Sequence, residues 1–351
     1  MIFRKNKMKE KPLVSICIPT YNGSHFVSRA LESCLKQSYE NIEVVVVDDT
    51  SKDDTIGVVK KYQKKSLKIK LYRNKENLGA AANFLETFRL ANGEFIQHLG
   101  QDDWLEQNHI SEKVAVFEQY PDIAFVANCY SFYILDDKGE PVLVKKFCKK
   151  PGFHYDKEVF KRFYREAGLI GFFCMMRKKD VIEQYLVDIP NDFNYERYYR
   201  KATIIDNLLP LRILSLKKYR GQYFYIDKTS YCKLIHSGCF SKDYGWIKVD
   251  SIDNQVKSIH IDRVGFEFFY KNQAPKYLFS YRVFVGCYTI SNIIFYVISG
   301  RARGFSWGML NLFFKDYSLT EKIFVFISFF PYFLRRAIKW LLKWLLVKFK
   351  K

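Results

Sequence analysis

The sequence lacks the patterns that define several common classes of protein. Its eight cysteines stand singly, with no Cys-x-x-Cys pair and no Cys/His spacing of a zinc site. It contains neither GxGxxG nor GxxxxGK[ST], so a dinucleotide dehydrogenase and a P-loop NTPase both lack their main signature. The basic start, MIFRKNKMKEKP, leads into no apolar run, and we therefore expect no secretory signal.

Acidic residues are scarce relative to basic ones. The 351 residues include 57 Lys+Arg and 37 Asp+Glu, which gives a formal net charge of +20. Residues 335–351 carry seven Lys/Arg and no acid, and such an end predicts contact with a membrane surface or a nucleic acid. With 48% apolar residues the chain is too apolar to be disordered. We predict one large α/β domain with an appended C-terminal module.

The cysteines favour a reducing compartment. Cys17, Cys129 and Cys174 lie inside apolar runs, which is typical of reduced thiols in a protein core. We therefore expect a cytosolic chain without a disulfide framework.

Strand-like and helix-like segments alternate over the first hundred residues. Val14–Pro19 and Ile42–Val47 are β-branched apolar runs typical of buried parallel strands, and Phe26–Gln37 between them has helical periodicity. This alternation predicts a doubly wound, mostly parallel α/β sheet, in which ligands bind beyond the carboxyl ends of the strands. The ends that the sequence places there are Pro19-Thr20-Tyr21-Asn22, Asp48-Asp49 and Asp102-Asp103.

The two Asp-Asp pairs are the sharpest chemical features. Adjacent carboxylates repel, and each raises the pKa of the other unless a cation or hydrogen-bond donors intervene. Their oxygen ligands favour Mg²⁺ or Mn²⁺, ions that usually bridge to a phosphate. The alternative is that Asp-Asp opens a turn or caps the following helix.

Four segments together carry a resemblance to a known family. They are Val14–Asn22 (VSICIPTYN), Asp48–Thr55 (DDTSKDDT), Asn77–Asn83 (NLGAAAN) and Gly93–Trp104 (GEFIQHLGQDDW). In order and spacing they resemble the motifs of family 2 glycosyltransferases of the GT-A fold, over roughly residues 12–240. One position departs from the family, since Gly100 stands where the first acid of its DXD metal motif falls.

The resemblance implies a set of site residues. Asp102 would bind the metal that bridges the donor diphosphate, with Asp103 beside it. The base and ribose would be held by Asp48 and Asp49, although which acid faces the base stays open. The other residues implied to bind the nucleotide-sugar are Pro19, Thr20, Tyr21, Asn22, Asn77, Gly79 and His236.

The catalytic base is expected about a hundred residues after the metal motif. Asp206 is our choice, with Asp192 and Glu196 as alternatives, and an N-cap role for Asp206 remains open. His236 loosely matches the family's YRxH element, and a surface histidine is the other interpretation. The QxxRW motif of processive synthases is absent, which predicts transfer of a single sugar.

The predicted organisation has two parts. Residues 1–255 form the GT-A domain, with a nucleotide-sugar half (12–105) and an acceptor half (106–255). Residues 256–351 form a helical region that ends in a basic amphipathic helix, 335–351. Trp340 and Trp344 lie at the boundary of its faces, which favours an interface with anionic lipid over packing on the domain. The 17 uncharged residues 283–299 fit either a buried helix or a shallow insertion.

The sequence therefore predicts an inverting, metal-dependent glycosyltransferase. It would move one sugar from a nucleotide-diphosphate sugar to a lipid-linked (polyprenyl-diphosphate) glycan, as a peripheral or monotopic protein at the cytoplasmic face of the cell membrane. No nucleic-acid partner is expected. A non-catalytic scaffold of the same fold is the main alternative, and a nucleotidyltransferase is a second.

Overall fold

The computed structural model describes residues 11–148, 150–155, 175–186, 222–236 and 317–329, with ten further positions between 213 and 314. The chain divides into two compact units, Met1–Cys239 and Phe240–Lys351. The predicted boundary at residue 255 stays a prediction.

The first unit alternates strands and helices as predicted and then becomes strand-rich. Its strands are β1 (Val14–Thr20), β2 (Ile42–Asp48), β3 (Ile69–Arg73), β4 (Phe95–His98), β5 (Trp104–Leu105), β6 (Phe125–Leu135), β7 (Pro141–Phe147), β8 (Gly152–Tyr155), β9 (Met175–Arg177) and β10 (Gln222–Leu234). Its described helices are α1 (Val27–Leu35), α2 (Thr55–Lys65), α3 (Ala80–Leu90), α4 (His109–Gln119) and α5 (Lys178–Leu186).

All ten strands of the described residues belong to one mixed sheet. Its order is β3-β2-β1-β4-β9-β6-β10-β5, with β7 paired to β6 and β8 paired to β10. Strands β1 to β4 pair in parallel, while β9 joins β4 and β6 in antiparallel fashion. The long strands β6 and β10 again run parallel. The parallel half is the predicted α/β architecture, and it brings the carboxyl ends of β1, β2 and β4 to one edge.

The parallel strands are covered on both faces, which explains their continuous apolar sequences. Ile16 and Val44 belong to the same buried cluster as Ala30 and Leu31 of α1. On the opposite face the Cys17 thiol lies 3.6 Å from the carbonyl oxygen of Thr87 in α3. Cys17 is buried and unoxidised, as predicted from its apolar run.

Glu43 is a buried acid that ties the amino end of the sheet together. Its carboxylate accepts hydrogen bonds from Ser15 Oγ and the Asn92 backbone, and it forms an ion pair with Lys70 at 2.5 Å. Burial by itself would raise the pKa of Glu43, but the hydrogen bonds from Lys70, Ser15 and Asn92 outweigh it and lower the pKa to about 2. Glu43 thus joins β1, β2, β3 and the turn before β4.

The prediction that Cys129 is a reduced thiol is wrong. Cys129 of β6 forms a disulfide with Cys148, which directly follows β7, and their Cα atoms lie 4.5 Å apart. Pairing of Tyr130 with Phe147 in the antiparallel β6–β7 ladder brings the two cysteines face to face. Periodicity along one strand could not reveal this partner across the hairpin. Cys174 lies outside the described residues.

The second unit is described mainly through a helix, α6 (residues 319–329). Ser318 and Glu321 form a reciprocal capping box at its start, because each accepts a hydrogen bond from the backbone N–H of the other. Glu321 also pairs with buried Arg282 at 3.1 Å. Among the described residues, no helix combines the length and apolar character needed to cross a bilayer. The predicted helix at 335–351 and most of 283–299 lie outside the described residues.

We expect the Glu43→Gln substitution to lower the free energy of unfolding by about 1–3 kcal/mol at pH 7, because it removes charge-assisted hydrogen bonds from a buried site. The folded-state pKa of Glu43 lies below its ordinary value of 4.5, so its stabilisation is complete above pH 4.5 and is lost as the pH falls through about 2. Urea unfolding of both proteins at pH 7 and at pH 3 measures the effect.

The matched control is Glu86→Gln, which removes a surface ion pair with Arg89. That change is expected to cost less than about 0.5 kcal/mol. Equal effects of the two substitutions, or a Glu43 effect that grows as the pH falls, would contradict the role assigned to Glu43.

Candidate functional site

The candidate site lies at the carboxyl edge of the parallel strands. The register of β1 and β2 places Thr20 opposite Asp48, and the Asp49 N–H donates to the Thr20 carbonyl at 2.8 Å. The end of β4 continues into Gly100 and Asp102, and β10 delivers His236 to the same place. The edge therefore holds the polar loop after β1, both Asp-Asp pairs and His236.

Asp49 binds the start of helix α3. One of its carboxylate oxygens accepts from the Leu78 N–H at 2.8 Å and from the Asn74 amide at 2.8 Å. The other accepts from the Gly79 N–H at 2.9 Å. Gly79 has a φ of 84°, a conformation that glycine adopts without strain, and it leads directly into α3. A carboxylate at the positive, N-terminal end of a helix dipole stabilises the helix, so Asp49 has a structural role.

Asp48 is differently placed. Its Oδ2 accepts from the Ser51 N–H at 3.0 Å and lies 3.5 Å from Nε of Arg73. Its Oδ1 is buried without a hydrogen-bond partner among the residues that the structure describes. A buried carboxylate oxygen left in this state is costly unless a ligand donor reaches it. Asp48 is therefore the member of the first pair that has an oxygen available for a ligand.

The loop after β1 is held from two sides. Gln101 accepts from the Tyr21 N–H at 3.0 Å and donates to the Tyr21 carbonyl at 3.1 Å. Asn22, with a φ of 47°, donates its N–H to Ser51 Oγ and accepts from the Lys52 N–H. A non-glycine residue keeps a positive φ only where contacts from the surrounding structure hold its backbone in that conformation. Tyr21 itself is 43% exposed, so the loop presents an aromatic ring to solvent.

The remaining predicted nucleotide residues lie around this loop. Asn77 donates to the Asp49 carbonyl at 3.0 Å, and the Thr20 hydroxyl donates to the Val47 carbonyl. Pro19 pairs with Val47 in the β1–β2 ladder. Their positions surround Asp48 and Asp49, and their binding roles stay predictions.

The two acids of the second Asp-Asp pair also have different roles. Asp103 is buried, and its carboxylate accepts from the Tyr231 hydroxyl at 2.9 Å and from the Leu234 N–H at 3.0 Å. Burial and the adjacent charge of Asp102 raise the pKa of Asp103 to about 7. Asp103 thus ties β10 to the loop after β4, and its oxygens are occupied by that connection.

Asp102 is the available member of the second pair. Its Oδ2 lies 3.0 Å from Nε2 of His236, and both side chains are about one-fifth exposed, 21% for Asp102 and 18% for His236. The His236 ring stacks on Phe26 at a centroid distance of 4.2 Å. The histidine implied to bind the nucleotide-sugar is therefore in direct contact with the predicted metal ligand.

Gly100 is the residue that departs from the family's DXD motif. A Cβ atom at this position would lie 2.8 Å from Asp103 Oδ2 and 2.9 Å from Asp102 Oδ1. Among the described residues, no group of three His, Cys, Asp or Glu side chains is arranged to hold a metal ion. Asp102 and His236 fit a cation as a pair of adjacent ligands, with further ligands left to a diphosphate and water.

Sequence reasoning missed several residues that shape the site. Tyr231 donates to Asp103 and accepts from the Gly100 N–H, and Gln101 holds the Tyr21 backbone. Asn83 donates to the carbonyls of Thr20 and Val47. Each acts through a partner distant in sequence, and although Asn83 and Gln101 lie within the motif segments quoted above, the motifs do not reveal these partners. Asp206, Asp192 and Glu196, the candidates for the catalytic base, lie outside the described residues.

An α/β sheet with acidic side chains gathered at the carboxyl edge of its parallel strands is the arrangement expected for the GT-A fold. Residues 15–185 match the family model described as glycosyl transferase family 2. This segment is a family 2 glycosyltransferase domain.

The chain is similar to named glycosyltransferases in sequence. It is 29% identical over 218 residues to a GalNAc(5)-diNAcBac-PP-undecaprenol beta-1,3-glucosyltransferase of Campylobacter jejuni, covering 62% of this chain and 63% of that protein. It is 32% identical over 147 residues to an uncharacterised glycosyltransferase of Rickettsia prowazekii, covering 42% of this chain and 43% of the relative. The chain thus spans less than two thirds of the length of these relatives.

The fold has a counterpart among solved structures. S. aureus TarS residues 1–349 in complex with UDP-GlcNAc superimposes with a TM-score of 0.55 and 16% identity, covering 90% of this chain and 78% of that one. This likeness confirms the GT-A-like α/β fold.

We expect Gly100→Asp, which restores the family's first acid, to lower the free energy of unfolding by about 1–3 kcal/mol, because its Cβ would contact two fixed carboxylates. The added charge would repel the same pair. Thermal unfolding with and without Mn²⁺ measures both effects. Gly100→Ala is the matched variant that adds the Cβ without the charge. Greater stability of Gly100→Asp in Mn²⁺ than of the wild-type protein would show that the geometry tolerates the acid.

Proposed function

We propose that this protein is an inverting, metal-dependent glycosyltransferase that moves one sugar from a nucleotide-diphosphate sugar to a lipid-linked glycan. The observation that carries the proposal is the Asp102–His236 pair, 3.0 Å apart at the carboxyl edge of a family 2 domain. Nucleotide ligands of open α/β sheets bind at this edge.

The donor nucleotide would occupy the space bounded by the loop after β1 and by Asp48. Oδ1 of Asp48 is buried without a hydrogen-bond partner in the part of the chain that the structure describes, so a ring N–H of the base could donate to it, and this supports Asp48 over Asp49 as the acid that faces the base. Exposed Tyr21 offers an aromatic surface next to that position. Asn77 and Gly79 would line the diphosphate end.

Asp102 and His236 are the residues that would hold Mg²⁺ or Mn²⁺, with Asp103 holding their loop in place through Tyr231. When bound, the ion would neutralise the charge that develops on the departing nucleoside diphosphate. A carboxylate on the acceptor side, for which Asp206 is our candidate, would take the proton of the attacking hydroxyl. A single displacement of this kind inverts the anomeric configuration.

The lipid-linked acceptor is supported by two observations. The Campylobacter relative is named for an undecaprenol-linked acceptor. The basic end of the chain, 335–351, has the amphipathic pattern of a helix that lies in a membrane interface. Both favour an acceptor presented at the cytoplasmic face of the cell membrane.

Thermal-shift measurements with UDP, GDP, dTDP and CDP, each with and without Mn²⁺, test the donor site. A ligand at about 100 times its dissociation constant stabilises by roughly 2.7 kcal/mol, which corresponds to several degrees in the midpoint. We expect a metal-dependent shift with one nucleotide. If no nucleotide shifts the midpoint, the non-catalytic scaffold is supported instead.

Asp102→Asn is expected to lower sugar transfer by about 100-fold or more and to remove the Mn²⁺-dependent part of the shift, since it removes the charged ligand. His236→Gln is expected to weaken metal binding by about 10–100-fold. Asp122→Asn, at an exposed acid in the turn before β6, is the matched control and should leave both readouts unchanged. Full transfer activity in Asp102→Asn would overturn the metal assignment.

Deletion of residues 335–351 is expected to move the protein from anionic vesicles to the supernatant in a sedimentation assay. The seven basic residues each contribute on the order of 1 kcal/mol near an anionic surface. A variant in which Trp340 and Trp344 are both changed to Ser keeps the charge and tests the apolar contribution. Unchanged sedimentation of the truncated protein would show that this segment is not the anchor.

A further inference from the structure

The β6–β7 hairpin projects from the sheet beside the candidate site. Leu234 of β10 pairs with Tyr133 of β6, and the Ile235 N–H donates to the Tyr133 carbonyl at 2.8 Å. Leu234 also donates to Asp103, and the Tyr133 ring lies 4.7 Å from that of Trp104. Because β6 runs parallel to β10, Ile134 and Leu135 lie level with Ile235 and His236, and the turn after Leu135 extends beyond them.

This projecting part of the hairpin is apolar and exposed. We call it the ribbon and define it by five side chains that are 37% to 55% exposed, namely Ile134, Leu135, Val142, Leu143 and Val144. Ile134 pairs with Val142 on one face of the ribbon, while the register places Leu135 and Leu143 on the other, so both faces are apolar. Contiguous exposed apolar surface of this kind marks a binding site.

Charge next to the ribbon indicates the kind of occupant. Lys145 and Lys146 follow Val144 directly and are both exposed, and the Lys145 ammonium lies over the Phe147 ring at 4.4 Å. Apolar side chains followed at once by two cations complement an amphiphile with a hydrocarbon chain and an anionic head group. An isoprenoid diphosphate has this chemistry.

The tip of the hairpin argues against insertion into a bilayer. The turn contains Asp136, Asp137 and Glu140 with one cation, Lys138, and Asp136 accepts hydrogen bonds from the N–H groups of Lys138 and Glu140. A tip with this excess of acid is repelled by anionic lipid and is costly to move into hydrocarbon. The faces of the ribbon, rather than its tip, are therefore the surface that receives the occupant.

We propose that the face of the ribbon that carries Leu135 and Leu143 binds the isoprenoid chain of the acceptor lipid, and that Lys146 on the same face binds its diphosphate. This inference rests on the lipid-linked acceptor of the proposed function. It adds the position of the acceptor, since the chain would lie on the β6–β7 side of Asp102 and His236 and would leave the attached glycan beside the donor site.

Binding of farnesyl diphosphate to the full chain tests the ribbon, with inorganic diphosphate as the probe that lacks the chain. The donor site is first filled with whichever nucleoside diphosphate gives the thermal shift, or is left empty if none does. We expect the wild-type protein to bind farnesyl diphosphate more tightly than inorganic diphosphate. Leu143→Ser is expected to weaken farnesyl diphosphate about tenfold and leave inorganic diphosphate unchanged, because one apolar contact is lost.

Two further variants complete the test. Lys146→Gln is expected to weaken both probes, since it removes the charge that binds the head group. Leu67→Ser, at a 97% exposed leucine between α2 and β3, is the matched control and should change neither. The nucleotide-induced shift is measured in every variant, so loss of the donor site and loss of the ribbon are separate results.

Three results would overturn the inference. The first is equal binding of farnesyl diphosphate by the wild-type protein and Leu143→Ser. The second is a loss of vesicle sedimentation in Leu143→Ser, which would assign the ribbon to the bilayer. The third is a halved mass by light scattering in Leu143→Ser, which would assign it to a second copy of the chain.

Discussion

Two pairs of adjacent carboxylates constrain the whole edge of the sheet. Two neighbouring acids cannot both remain buried and charged without donors, so each pair needs a structural partner for at least one member. Asp49 is satisfied by the N-terminus of α3, and Asp103 is satisfied by Tyr231 and the Leu234 N–H. Asp48 and Asp102 are left with oxygens available to ligands.

The same division of tasks connects distant parts of the chain. Asp49 links β2 to α3, and Asp103 links the loop after β4 to the end of β10. Since His236 lies only two residues after the end of β10 at Leu234, the bond from Leu234 to Asp103 also positions His236 against Asp102. Asp49 and Asp103, the carboxylates that do not face ligands, therefore hold in place the groups that would contact a ligand.

Gly100 has a physical explanation in this arrangement. The position lies against both carboxylates of the second pair, and Tyr231 accepts from its N–H. An acid there would add a third charge to a space that already holds two. The chain instead pairs Asp102 with His236, a residue that comes from the other end of the domain. The proposed metal site thus combines a strand end with a segment more than 130 residues later in the sequence.

The parallel half of the fold, and the position of the acidic side chains at its carboxyl edge, could be predicted from the amino-acid sequence. Continuous apolar runs at Val14–Pro19 and Ile42–Val47 identify strands covered on both faces, because only such strands can bury every side chain. Their carboxyl ends must then meet at one edge, which places Asp48 beside the loop that follows Pro19. Tertiary structure alone decided which acid of each pair is available, that Cys129 pairs with Cys148, and that Tyr231 and Gln101 support the site. These outcomes depend on contacts between segments far apart in the chain, and local periodicity carries no information about such contacts.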